Sequence, residues 1–169
     1  KCAAGRFSDR VGQNNISTCE GCVGGRYSDE LGAVSVDACL ACGLGRYSDA
    51  GPGQSGEAIC KECPRGRFQN TTGGDNLNVC TFCPPGRFSD DPGLTTGSDC
   101  KECGKGQYRP GVNISATKEQ GQNSTGSDSA CRDCPAGWAQ PKKSQPSCLK
   151  CERGLYTDRT STRLNSSHL

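Results

Sequence analysis

The sequence predicts a small disulfide-rich fold: an elongated tandem array of ~20-residue cysteine-rich repeats with short β-hairpins and little regular secondary structure. Three observations predict it. Fifteen cysteines sit in a chain with one Trp, no Met and 5% aromatics, so too little apolar matter remains for one large core. The cysteines fall into CxxC pairs at Cys19/Cys22, Cys39/Cys42, Cys60/Cys63, Cys80/Cys83, Cys100/Cys103, Cys131/Cys134 and Cys148/Cys151, with Cys2 single at the start. The phrase CVGGRYSD at residues 22–29 returns as CAAGRFSD, CGLGRYSD and CPPGRFSD at Cys2, Cys42 and Cys83.

Counting from the second cysteine of each pair, repeats start at 2, 22, 42, 63, 83, 103, 134 and 151, in steps of 20, 20, 21, 20, 20, 31 and 17. The boundaries read as 1–21, 22–41, 42–62, 63–82, 83–102, 103–133, 134–150 and the opening of an eighth repeat at 151–158. Gly lies three after the cysteine in all eight, as at Gly25, and is expected where the backbone needs positive φ. An aromatic lies five after it in seven: Phe7, Tyr27, Tyr47, Phe68, Phe88, Tyr108 and Tyr156. Trp138 sits one place early in the repeat at Cys134. The aromatic is the one large apolar group per repeat and is expected to cover the disulfide. Asp9, Asp29 and Asn70, each with Gly three later, are expected to start type I reversals. Residues 112–129 are a polar surface loop inside the sixth repeat.

Charge excludes some functions. Twenty Lys and Arg against 18 Asp and Glu leave a net +2, with no basic footprint for nucleic acid or anionic membrane. No apolar run approaches the roughly 20 residues of a membrane helix. The chain opens on Lys and reads as a fragment, so membrane attachment would come only through missing flanking regions. Asn15, Asn70, Asn113 and Asn123 each open an N-glycosylation sequon. With the cysteine count they indicate an oxidising, extracellular or cell-surface setting.

The simplest pairing joins each repeat's first cysteine to the one about 17 residues on: Cys2–Cys19, Cys22–Cys39, Cys42–Cys60, Cys63–Cys80, Cys83–Cys100, Cys103–Cys131 and Cys134–Cys148. Cys151 is left unpaired by truncation. An interleaved pairing, first to third and second to fourth, satisfies the same spacing. A 17-residue loop closed in the simpler way is worth roughly 3 kcal/mol. Paired CxxC motifs are also a zinc pattern, so an intracellular array of four-cysteine zinc sites is a rival reading. The even stringing of the pairs and the sequons weigh against it, and no metal or cofactor is expected.

No catalytic set emerges. The single His168 lies in a tail, residues 159–169, that breaks the pattern and resembles the conceptual translation of a common sequencing adapter; it reads as an artefact. Arg6, Arg26, Arg46, Arg67 and Arg87 form a column after the Gly and are the candidate ligand-facing residues. Pairing with Asp9, Asp29, Asp49 and Asp90 three residues on is the simpler account of it, and such surface pairs contribute little.

The phrase C-x2-C-x2-G-x-[FY], a turn, then C-x2-C resembles the ephrin type-A/B receptor-like cysteine-rich repeat. It is similar also to tumour necrosis factor receptor and growth-factor-receptor cysteine-rich modules. The resemblance covers nearly everything to Asp158 and is closest over residues 134–157. It implies a non-enzymatic extracellular repeat array, a spacer or protein-interaction stalk of a larger cell-surface or secreted protein. The partner would be a protein of unknown identity, not nucleic acid or a small-molecule substrate. A receptor-type segment gripping a protein ligand along the rod is the alternative, and an exposed aromatic patch at Trp138 would favour it.

Overall fold

The structure, a computed structural model, describes residues 1–10, 12, 15–111 and 130–151, with the backbone of 155–157 and 164–166. The sequons at Asn113 and Asn123, the polar loop at 112–129, Gly154, the side chain of Tyr156 and His168 lie outside the described residues. Among the described residues there is no α-helix, and no helix is long and apolar enough to cross a membrane.

Seven disulfides run in series: Cys2–Cys19, Cys22–Cys39, Cys42–Cys60, Cys63–Cys80, Cys83–Cys100, Cys103–Cys131 and Cys134–Cys148. Numbered 1 to 7 in chain order, these loops repeat one plan. In loop 1, β1 (Arg6–Phe7) pairs antiparallel with β2 (Glu20–Gly21). In loop 2, β3 (Arg26–Tyr27) pairs likewise with β4 (Leu40–Ala41), Arg26 facing Ala41 and Tyr27 facing Leu40. In loop 3, β5 (Arg46–Tyr47) pairs with β6 (Lys61–Glu62), and in loop 4 β7 (Arg67–Phe68) with β8 (Thr81–Phe82). Two-residue strands are all that fits between a cysteine, a tight turn and a reversal.

A β-turn opens each hairpin. In loop 2 the N–H of Arg26 donates to the Val23 carbonyl at 3.1 Å, with Gly25 in the third turn position at φ +75°. That is type II geometry, which requires positive φ there and hence Gly. A 3-10 turn leads back to the closing cysteine in loops 1 to 5. Asn15, Ser35 and Asn76 cap the first, second and fourth of these turns, their side-chain oxygens accepting the N–H two residues on. These turns are not among the sequence expectations; the capping residue four before the cysteine is the signal that would reveal them.

Two expectations are corrected. The reversal is closed by the serine of the Ser-Asp phrase, not by the acid. Ser28 Oγ accepts the Glu30 N–H at 3.3 Å, Ser48 Oγ that of Ala50, and Ser89 Oγ that of Asp91, and all three serines are buried. In loops 2 and 3 the aromatic covers the disulfide of the following loop, not its own. Tyr27 packs on Cys42 and Cys60 with Ile59, and Tyr47 on Cys63 and Cys80 with Val79. Successive strand residues point to opposite faces, so Arg26 turns back over its own loop while Tyr27 turns onto the next.

The chain divides into two units, Lys1–Thr81 with Pro92–Thr96 and Phe82–Asp91 with Gly97–Leu169. Within the first, backbone bonds join each loop to its successor. The reversal glycines Gly32, Gly53, Gly73 and Gly93 donate to the carbonyls of Cys2, Cys22, Cys42 and Cys63, each at 2.8 Å. The same reversals press on the hairpin turn two loops back: a Cβ on Gly5 would strike the Gly53 carbonyl, one on Gly25 that of Gly73, and one on Gly45 that of Gly93.

The second unit holds loops 6 and 7 and loop 5 apart from Pro92–Thr96, with β9 (Arg87–Phe88) against β10 (Lys101–Glu102), β11 (Gln107–Tyr108) against β12 (Arg132–Asp133), and β13 (Trp138–Ala139) against β14 (Leu149–Lys150). Here Ser144 takes the reversal glycine's place. Its N–H donates to the Cys103 carbonyl at 3.0 Å and its backbone meets Gly86. It sits at φ +57°, and its buried hydroxyl has no partner among the described residues.

Gly25→Ala is expected to destabilise the oxidised chain by at least ~3 kcal/mol, from left-handed strain plus collision with Gly73. Gly43→Ala, which meets open space, should cost under ~0.5 kcal/mol. Denaturant unfolding of the two proteins checks this, and equal midpoints would refute it. Ser144→Gly should raise stability by about 1 kcal/mol, as strain relief outweighs the entropy of Gly; a lower Tm would count against it.

Candidate functional site

The arginine column is the candidate site, and hydrogen bonds within each loop hold it. Each Arg opens the first strand of its hairpin, thirteen residues before the closing cysteine in four of the five loops. That cysteine's carbonyl has no ladder partner of its own, because the strand pairing begins one residue later. The guanidinium supplies the donor. Arg6 Nη1 donates to the Cys19 carbonyl at 3.1 Å, Arg26 to Cys39 at 2.9 Å, Arg67 to Cys80 at 3.0 Å and Arg87 to Cys100 at 3.0 Å.

Loop 3 is one residue longer, and its Arg46 instead meets Glu57 at 3.0 Å and Glu62 at 3.9 Å. Arg87 adds a second bond, from Nη2 to Glu102 at 2.9 Å. Partial burial pulls the Arg67 guanidinium below its ordinary range, against the smaller opposing pull of Tyr47. The column is thus four carbonyl caps, in loops 1, 2, 4 and 5, and one ion-paired arginine in loop 3.

The expected Arg–Asp pairing is corrected as well. Asp49 binds Lys61 at 2.7 Å, and Lys101 lies 3.8 Å from Asp90 and 3.2 Å from Asp91. In these two loops lysine follows the closing cysteine directly, and the hairpin register brings it beside the acid. Lys61's hydrogen bond holds the Asp49 carboxyl below its ordinary 3.8 and, mirrored, raises Lys61 above 10.5. The pair's support is therefore present between those values. It is lost as pH falls through the lowered Asp49 value or rises through the raised Lys61 one. Both side chains are more than half exposed, so the contribution is small.

One buried cation lies outside the sequence expectations. Arg109 is 2% exposed and stands where other loops carry Ser or Gln. Its Nη1 reaches the carbonyls of Arg87 at 2.7 Å and Cys83 at 3.1 Å. The mismatch with the Ser28, Ser48 and Ser89 column is the signal that marks it.

Trp138 occupies the Arg position of its hairpin and is 39% exposed, while Ala139 takes the buried aromatic's place. Asn15 and Asn70 lie exposed on loops 1 and 4. Cys151 carries a free thiol of intermediate exposure. Exposed aliphatic side chains concentrate between residues 16 and 44, among them Val23, Val36 and Leu40. Phe7, Val23 and Val36 line an open groove rimmed by Glu20, Asp37 and Arg26. The fourteen disulfide sulfurs are the ones that four-cysteine zinc sites would need.

Arg26→Ala is expected to lower stability by about 1–2 kcal/mol, the worth of a charged donor on a half-buried carbonyl. Glu30→Ala should stay within ~0.5 kcal/mol. Equal unfolding midpoints for the two would remove the capping role.

The sequence model of the family described as tyrosine-protein kinase ephrin type A/B receptor-like matches residues 51–100 and 121–167, more than half of the chain; the second match runs past Asp158 into the tail. No curated protein matches the chain.

Proposed function

The chain belongs to the ephrin type A/B receptor-like family, and on that premise we propose that it is a non-enzymatic extracellular array. It serves as spacer or protein-interaction stalk in a larger cell-surface or secreted protein. The family is of receptor type, and seven disulfides suit an extracellular or secreted setting. The observation that carries the reading is the seating of the reversals at Gly53, Gly73 and Gly93, within the first unit, each on the two loops before it. Loops tied covalently at their ends and by backbone to their predecessors resist separate opening, which is what a spacer needs. Folding and seating occupy five of the eight positions of the repeated phrase. Cys staples, Gly bends, the aromatic covers, Ser closes the reversal and Arg caps.

A receptor-type segment gripping a protein ligand is the second reading. The exposed aliphatics of residues 16–44 and the half-exposed Trp138 favour it. Two changes in the parent protein separate the readings. Excising one whole repeat should impair a spacer, while Val23→Ser, Val36→Ser and Leu40→Ser together should leave it working. Loss of partner binding on the triple change, with thermal stability kept, would favour the gripping segment.

Thiol titration tests the compartment. Unfolded without reductant, the chain should show one reactive thiol, Cys151, and fifteen after reduction. Fifteen at the outset, with bound zinc, would refute the extracellular reading.

A further inference from the structure

We propose that Asn15 carries an N-linked oligosaccharide whose first sugars lie in the cleft between loops 1 and 2, over Ile16 and Val34. The inference rests on the extracellular reading, since the modification belongs to the secretory route. Asn15 is exposed and opens the sequon Asn15-Ile16-Ser17. Its Oδ1 caps the 3-10 turn Ile16–Thr18 by accepting the Ser17 N–H at 3.0 Å. The cap uses the oxygen alone. The amide nitrogen, which the modification consumes, has no partner among the described residues.

The second observation is the cleft itself. It measures about 370 Å3, within the ~300–1,000 Å3 of small-molecule sites. Asn15, Ile16, Cys2, Cys19, Ala33 and Val34 line it, with Asp9 and Arg10 at its polar side. Ile16 is 79% and Val34 74% exposed, an unusual cost for two branched aliphatics beside a reversal. The C–H face of a sugar ring suits such side chains, and Asp9 and Arg10 suit its hydroxyls. Tethering at Asn15 holds the sugar there at high effective concentration.

In the linking step Asn15 Nδ2 bonds to C1 of the first sugar of a lipid-pyrophosphate-linked oligosaccharide. The C1–O bond breaks, the lipid pyrophosphate leaves with the bonding pair, and the amide nitrogen gives up one proton.

Asn70 supplies the internal control: its sequon is also exposed, but Thr71 beside it is exposed and polar. The 169-residue chain is secreted from cultured eukaryotic cells alongside Ser17→Ala and Thr72→Ala variants. Ser17→Ala erases the first sequon yet keeps the Asn15 cap, because the cap uses the Ser17 backbone. Peptide mass after enzymatic glycan release should show Asn15 converted to Asp in the wild type. Ser17→Ala should lower Tm by a few degrees and increase binding of an apolar dye, while Thr72→Ala moves neither. An unmodified Asn15 in secreted, fully disulfide-bonded protein would overturn the proposal. So would a glycosylated wild type matching Ser17→Ala in Tm and dye binding. Free thiols throughout would instead bring down the extracellular reading, and this inference with it.

Discussion

Each reversal turn must land on backbone laid down by earlier loops, and the rest of the first unit follows from that. The reversal N–H at Gly53 binds the Cys22 carbonyl, and the Gly53 carbonyl lies against Gly5. The contact is backbone to backbone, so it leaves no space for a Cβ at the hairpin turn. Positive φ and close approach thus coincide at one residue, and glycine answers both. Solenoid repeats are usually pictured as touching nearest neighbours alone. Here a loop's turn is completed by the loop two places on, which spreads the cost of opening any one of them.

The apolar content is distributed by the same geometry. A single aromatic per loop cannot build a core within its own loop. Tyr27 and Tyr47 instead close over the next loop's disulfide, joined by Ile59 and Val79. Burying such a ring is worth on the order of 2 kcal/mol, close to the roughly 3 kcal/mol of the loop's disulfide. Staple and cover come from different loops, so neither is fully used by a loop alone. The arginines complete the arrangement on the other face of each short strand, capping cysteine carbonyls that the hairpin ladder does not reach.

Departures from the repeat mark where something else is asked of the chain. Ser144 keeps the reversal at φ +57° without being glycine, and Arg109 fills a serine's place with a buried cation bonded to carbonyls. Val34 and Ile16 stay in water beside a sequon. The first two change how a reversal is seated; the third leaves a surface for something to cover.

The sequence by itself determined the fold class, because cysteine spacing, the Gly column and the shortage of apolar residues admit little else. It also determined the hairpin, since a cysteine, a tight turn at the glycine and an aromatic leave room for a short paired stretch. Only the tertiary structure decided which disulfide each aromatic covers, what the arginines bind and why the glycines resist replacement. A repeat presents its residues in identical phase, so the sequence cannot tell a partner in the same loop from its copy one or two loops on. The choice belongs to the backbone contacts between loops, which place Tyr27 over Cys42–Cys60 and Gly25 beneath Gly73.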